Sequence, residues 1–345
     1  MRFSYIFDYT ELLRAGLNNM WINNVLNNRG KIMALSPMAD MTDSPFCQIV
    51  REIGGADVVF REMVSSEAIV RDNKKTLGMT DFVEAERPIV QQIFGADPAT
   101  MAHAGDIVMK HSNPEGIDIN MGCPVYKITS NFNGCALMKD PILAGKIIRE
   151  MKRAIGDTPL SVKIRLGWSD PDDFKTFIPV IEEAGADLIT IHGRTKAQGY
   201  SGVSDWERIR QAKEIATVPL LANGDIHRSD HVWEVLSITG ADGVLIARGA
   251  LGNPWFFQVA KSKEQKAIDF IERIDVVMRH ARLHLAQYGD GGIRTFRKHL
   301  SWYFKADKIG FVIPGLKEWR GKLVRVSSLE ELDAILDELR MKTKE

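Results

Sequence analysis

The stretch Gly116-Ile-Asp-Ile-Asn-Met-Gly-Cys-Pro124 sets a thiol directly behind a short apolar run. Ile117 and Ile119 read as part of a buried strand, and Gly122 with Pro124 end it at once. Cys123 therefore sits on a loop at a strand exit, where parallel α/β proteins gather their chemistry. A thiol there can serve as nucleophile, metal ligand or proton donor, and it can also simply pack. Other apolar runs end in the same fashion: in Ser36-Pro37-Met38-Ala39, Gln92, Asn120, Lys163 with Arg165, His192-Gly-Arg194-Thr195, Asn223-Gly224-Asp225 and Ala247-Arg248-Gly249-Ala250. The last two fit a phosphate site built on backbone N–H groups. Lys163 can stabilise negative charge on a reduced flavin, form a Schiff base, or pair with a carboxylate. Cys47 lies on an apparent helix face and reads as core. Cys135 follows a Gly turn at a helix start, where a thiol pKa can be depressed, and competes with Cys123 as the reactive position. Cys123 and Cys135 with His103 or His111 have no recognised ligand spacing, so no metal is expected.

Positioning these residues requires a repeating scaffold. From Lys31, eight short apolar runs (32–35, 57–60, 88–94, 116–120, 160–165, 188–192, 219–222 and 243–247) alternate with amphipathic helical stretches such as 142–154, 174–184, 206–215 and 231–238. Eight β-α units predict a (β/α)8 TIM barrel over residues 31–262. Gly-Ala-Asp recurs before three runs (55–57, 185–187 and 240–242), as helix C-cap chemistry would give. A doubly wound sheet is less suited, since no GxGxxG follows the first run. Ahead of the barrel, 10–29 reads as one helix within an N-terminal extension, 1–30, that Gly30 stops. Beyond the polar 261–265, residues 263–345 read as a small C-terminal all-helical domain.

The chain has 345 residues, 45% of them hydrophobic, and a formal net charge of zero, so bulk charge selects no partner. Three cysteines make no CxxC pair and no even framework, which points to a reducing, cytoplasmic setting. No apolar run approaches the roughly 20 residues of a membrane span. Between 279 and 325, eleven Lys/Arg stand against three acids, interleaved with Phe296, Trp302, Tyr303, Phe304, Phe311 and Trp319. That pattern suits RNA phosphates and unstacked bases; it equally suits a helical bundle with aromatic core and charged surface.

The motifs Pro37-Met-Ala39 with Thr42-Asp43, Gln92-Ile-Phe-Gly95, Asp118-Ile-Asn-Met-Gly-Cys-Pro124, Val162-Lys-Ile-Arg165, His192-Gly-Arg-Thr195, Asn223-Gly-Asp225 and Arg248-Gly-Ala-Leu-Gly-Asn-Pro-Trp255 resemble those of the tRNA-dihydrouridine synthases. The similarity runs in order through about residues 31–258, and Arg297-Lys-His-Leu-Ser-Trp-Tyr303 resembles their helical domain. The resemblance implies an FMN-dependent, NADPH- (or NADH-) consuming reductase of selected tRNA uridines, with residues 263–345 binding tRNA. It implies FMN on Pro37, Met38 and Ala39, with Gln92, Lys163 and His192 at its ring. Asn223, Gly224, Asp225, Ala247 and Arg248 would hold its phosphate. Cys123 would protonate uracil C5 while C6 receives hydride, with Asn120, Lys127, Arg165 and Arg194 on the substrate side. The base must leave its stack to react.

Three positions depart from the family pattern. Asp40 and Ala247 stand where Gly is usual, which bears on flavin seating; Tyr126 is bulkier than usual after Cys-Pro, which bears on substrate approach. The other readings are a flavin barrel acting on a free pyrimidine or enone, a non-redox barrel with Lys163 as Schiff base, and an inactive RNA-binding relative.

Overall fold

The structure, a computed structural model, describes residues 21–262, 268–309 and 313–342. Eight parallel strands, β1 Ile32–Leu35, β2 Val58–Ser65, β3 Ile89–Phe94, β4 Gly116–Met121, β5 Leu160–Arg165, β6 Leu188–His192, β7 Leu220–Asn223 and β8 Gly243–Ile246, close in sequence order. Ile32 of β1 registers with Gly243 of β8, which shuts the barrel. The expected (β/α)8 fold is what forms, with helices following the barrel. Strands buried on both faces explain the near-continuous apolar runs. The polar interruptions Gln92, Asp118, Asn120 and Lys163 occur within strands, near or facing the barrel mouth.

Aspartates hold the alternation in place. Asp97, Asp140 and Asp205 cap the helices Pro98–His111, Pro141–Ile155 and Trp206–Ile215 by accepting from Thr100, Leu143 and Arg208 backbone N–H groups. The Gly-Ala-Asp repeat does more than end helices. Its glycines 55, 185 and 240 take positive φ, and its aspartates reach sideways to the next strand. Asp57 accepts from Met33 N, Asp187 from Leu160 N and Asp242 from Leu220 N, each at 2.8 Å. Each also meets a cation, Lys261, Lys152 and Lys213 respectively. These carboxylates fix the start of a neighbouring strand and so its register.

The helix Trp21–Arg29 closes the N-terminal end of the barrel. Trp21 and Ile22 pack on Ile32, Val58, Phe60, Val90, Leu188 and Leu221. Gly116 makes room for this: a Cβ there would meet Trp21 Nε1 and Val90 Cγ2 at 3.2 Å. The expected helix began at residue 10; its first half lies outside the described residues. Loss of this seal has an expected cost: Trp21→Ala should lower the unfolding free energy by about 3–5 kcal/mol, read as an earlier denaturant midpoint.

The helices after the barrel build a second core on Phe270–Tyr288, Ile293–Tyr303, Leu316–Leu323 and Leu329–Lys342. It also takes in Ile49 and Trp255 from the barrel side. Phe296, Tyr303, Phe304 and Trp319 are buried in it. For these four aromatics the bundle reading is therefore right and base stacking is excluded; Phe311 lies outside the described residues. The two parts are bolted together. Arg273, fully buried, donates to Gly252 O, Tyr303 O and Lys308 O and lies over the Trp255 ring. Burial lowers its pKa to about 10. At Gly252, with φ 67°, a Cβ would strike the Trp302 carbonyl.

Candidate active site

The C-terminal ends of the strands enclose a cleft of about 590 Å³. Pro37, Met38, Ala39, Gln92, Asn120, Cys123, Lys163, Arg165, His192, Asn223, Gly224, Asp225, Ala247 and Arg248 all line it. These residues come from seven of the eight strand exits. Lys127, on the exposed turn Tyr126–Thr129, does not line it, nor does Arg194.

Cys123 is held by its neighbours rather than by its own side chain. Asn120 Oδ1 accepts from Gly122 N at 3.1 Å and Cys123 N at 2.9 Å, an Asx turn that folds the loop. The Asn120 amide nitrogen donates to Gln92 Oε1 at 2.8 Å. Gln92 Nε2 in turn donates to Asp118 at 2.6 Å, and Ser161 donates to the other Asp118 oxygen. This buried chain fixes both amide orientations. Burial raises Asp118 to about 6 in spite of these donors. Asn120 lines the cleft, and its amide also holds the Cys123 loop and Gln92.

Arg165 is buried and donates to Gly122 O at 2.8 Å, Thr195 O at 2.9 Å and Gly199 O at 2.8 Å. It clamps the Cys123 loop to the loop after β6. Arg194 belongs to a different construction. It makes a bidentate pair with Asp225 (2.6 and 3.0 Å) and donates to Ser201 O and Gly202 O. With its side chain only 2% exposed, it shapes the phosphate-like loop from behind, so the substrate role expected of it does not fit.

Lys163 Nζ has one partner given by the geometry, Asn223 Oδ1 at 3.3 Å. Among the described residues no carboxylate pairs with it, so the ion-pair reading fails. Burial and then Arg165 depress its pKa to about 8. His192 is buried with an unpartnered Nδ1. Burial and four nearby cations push its pKa well down, so it is a neutral imidazole. A cation seeking an anion and a ring nitrogen lacking a partner are what a polar, anionic ring ligand would satisfy.

Cys135 is excluded as the reactive thiol: it is fully buried, and burial raises its pKa to about 12. Cys47 is core, as expected. Tyr200, 64% exposed at the rim, was missed; Arg165 and Arg248 lie 5.6 and 5.5 Å from its ring centroid. Also missed was Trp168, flanked by the ammonium groups of Lys139 at 4.6 Å and Lys196 at 4.3 Å. No spacing rule joins these residues, because they come from separate loops.

Residues 34–344 match the family model described as Dihydrouridine synthase (Dus). The chain belongs to the dihydrouridine synthase family. It is 34% identical over 309 residues to tRNA-dihydrouridine synthase B of Pseudomonas aeruginosa, covering 88% of this chain and 90% of that one. A probable tRNA-dihydrouridine synthase of Rickettsia conorii is 35% identical over 295 residues, with 83% and 86% covered. Another, from Rhizobium leguminosarum, is 38% identical over 279 residues, with 79% and 85% covered. In fold, the chain is similar to histamine dehydrogenase of Rhizobium sp. 4-9, with TM-score 0.54 and 10% identity over 91% of this chain and 62% of that one. A 2-naphthoyl-CoA reductase gives TM-score 0.53 and 11% identity over 89% and 67%. No helix among the described residues is long and apolar enough to cross a membrane.

For this member of the family the departures can now be weighed. Asp40 has φ 62°, the left-handed region that explains Gly in the family pattern. Its side chain is exposed and its N–H donates to Glu62 at 2.7 Å. Asp40→Gly should therefore raise stability by about 0.5–1 kcal/mol, measured by denaturant unfolding. Ala247 is not among the residues with positive φ, so that replacement costs no backbone strain. Tyr126 is 82% exposed and leaves the cleft lining to Val125.

Proposed function

We propose that this oxidoreductase converts uridines of tRNA to 5,6-dihydrouridine with FMN held in the cleft and NADPH or NADH as reductant. The observation that carries the reading is a thiol on a fixed loop, Cys123, sharing one cleft with a half-buried, carboxylate-free lysine, Lys163. The donor set suits FMN. Lys163 would meet the electron-rich edge of its ring and His192 Nδ1 would gain a partner, with Pro37, Met38, Ala39 and Gln92 beside them. Asn223, Gly224, Asp225, Ala247 and Arg248 would receive the phosphate. Bound FMN supplies the hydride that uracil C6 accepts.

The protein's own part is to admit the base, orient it and deliver a proton. Cys123 gives its Sγ proton to C5 as C6 gains the hydride, and solvent restores the thiol. Arg165 and Asn120 position that thiol through the backbone of 122 and 123. Tyr200 at the rim offers a ring face for an extruded base, and the Trp168 cluster offers an aromatic and two cations for the RNA around it. Lys127 stands on the exposed turn next to Cys123, placed for a phosphate. The helical segment 263–345 is the remaining RNA-binding surface, offering exposed cations such as Arg279, Arg294 and Arg325 while Phe296, Tyr303, Phe304 and Trp319 fill its core.

The test is nucleoside mass spectrometry on unmodified tRNA incubated with protein, FMN and NADPH. A uridine heavier by two hydrogens is expected. Flavin-loaded protein that oxidises NADPH yet yields no such nucleoside overturns the RNA substrate and favours the free-pyrimidine reductase.

Lys163 gives a second expected result. With its pKa near 8 in the free protein, binding anionic FMN must raise it. Lys163 then takes up a proton on association at about pH 8–9.5 and none at about pH 6, where it is already charged and only the FMN phosphate exchanges a proton. Calorimetry in two buffers of different ionisation enthalpy should show this, and Lys163→Met should abolish it.

A further inference from the structure

Where the helices after the barrel meet the loop that follows β1, three ligand-type side chains from separate segments converge. Asp43 lies just after β1, His284 on the helix Phe270–Tyr288 and His299 on Ile293–Tyr303. Each is at most 2% exposed. Their donor atoms all lie within 4.8 Å of one another. We propose that Asp43, His284 and His299 form a structural site for a divalent transition-metal ion, zinc by its donor set, which ties the helices to the barrel.

Hydrogen-bond accounting carries the argument. Asp43 Oδ1 accepts from Phe46 N at 3.2 Å as a helix cap. Asp43 Oδ2 stands 3.3 Å from His284 Nδ1, an ion-pair distance, with the Tyr288 hydroxyl also acting on the carboxylate, yet neither Oδ2 nor Nδ1 meets a partner in good hydrogen-bond geometry. On its far side, His284 Nε2 lies 2.8 Å from Thr295 Oγ1, whose proton goes to Gly292 O at 2.9 Å. With the hydroxyl proton there, Nε2 carries the ring proton and donates it to Thr295, and the Nδ1 lone pair faces a carboxylate. This is the metal-ready tautomer, and the hydroxyl turned to Nε2 gives the other, with Nδ1–H facing Asp43. In the first, two acceptors at this distance, away from water, repel unless a cation sits between them.

A proton on Nδ1 would relieve that one pair. It would not serve His299 Nε2, which is also buried and unpartnered. One metal ion serves all three. Two nitrogens and a carboxylate oxygen match a borderline cation such as zinc, and bonds of about 2.0–2.1 Å in a tetrahedron have an edge of about 3.3 Å. That edge equals the Asp43–His284 separation, and a small ring adjustment brings His299 to the same ion. The Nε2–H to Thr295 to Gly292 relay is the outer support that metal-bound histidines have. The fourth position of a tetrahedron would fall to solvent or a further ligand, since His280, with its ring 4.5 Å from that of His299, is not within ligand reach of the other donors. The rings of Phe46, Phe296 and Tyr288 pack around the group. Such a buried site suits a structural ion. No linear motif announces it, so the expectation of no metal rested only on ligand spacing in the chain.

The proposal is independent of the reaction and is tested without it. Full-length protein, purified from zinc-supplemented culture without a chelator or metal-affinity tag, is analysed for first-row metals. One zinc per chain is expected. Dipicolinate should remove it and lower the melting temperature, and zinc sulfate should restore both. His299→Ala and His284→Ala should fall to near-zero zinc. If a variant fails to fold, the removal and restoration cycle on the unmodified chain still decides. Less than a tenth of a first-row metal per chain, with a melting temperature indifferent to added zinc, overturns the proposal and leaves a proton-bridged Asp43–His284 pair. Full zinc retained in the folded variants overturns it too, by assigning the metal elsewhere.

Discussion

Cys123→Ala should lower the rate of dihydrouridine formation by about 10²–10⁴-fold, the contribution of a positioned general acid. Flavin absorbance and NADPH oxidation by the flavin-loaded protein should stay near the level of the unmodified chain. The backbone bonds of Gly122 and Cys123 to Asn120 Oδ1 do not involve the thiol, so the loop should survive the change. Cys123→Ser should fall between the two, because a hydroxyl is a poorer acid of similar shape. Undiminished turnover by the alanine variant on unmodified tRNA would remove Cys123 from the proton step and leave solvent as the donor.

The second large effect concerns stability. Arg61 on β2 and Glu86 form an ion pair at 3.1 Å with both side chains at most 1% exposed. Arg61 also donates to Met79 O and Asp81 O, while Glu86 accepts from Ser44 and Val83 N. Together they fasten residues 79–86 over the side of the barrel. Breaking such a pair from one side costs about 3–5 kcal/mol. The two sides are not equal. Burial already raises the Glu86 pKa, so without Arg61 it can take up a proton and limit the loss. A guanidinium has no such escape. Glu86→Gln should therefore destabilise more than Arg61→Met, and the double variant less than the two together. Denaturant midpoints of the three proteins measure this; equal single effects that simply add would contradict it.

How much was legible in the sequence follows from what each signal depends on. Strand exits are local, so Pro37 to Ala39, Gln92, Cys123, Lys163, His192, Asn223 and Arg248 could be read from apolar runs and their ends, and the closed barrel brings them to one cleft. Arg194 was misread because a cation at a strand end looks the same whether it faces a ligand or a carboxylate; only the fold puts Asp225 against it. The loop-holding duty of Asn120 was hidden because an Asx turn and a substrate contact use the same amide. The helical aromatics were ambiguous by composition and were decided by burial. Trp168, Tyr200 and the Asp43–His284–His299 group are products of tertiary assembly. Their members lie on loops or helices far apart in the chain, where no periodicity connects them.

The helix Trp21–Arg29, packed across the N-terminal end of the barrel, also bears on the order of events. With that end stoppered, the described residues leave the cleft open at the strand exits. Nicotinamide and uridine would have to use the same doorway to reach the same ring, and neither can be resident while the other reacts. On the proposed reading, turnover would be an alternation of visitors, with reducing equivalents parked in the protein between them. A reduced enzyme would then wait for RNA, and the two half-reactions would proceed without the two substrates ever meeting.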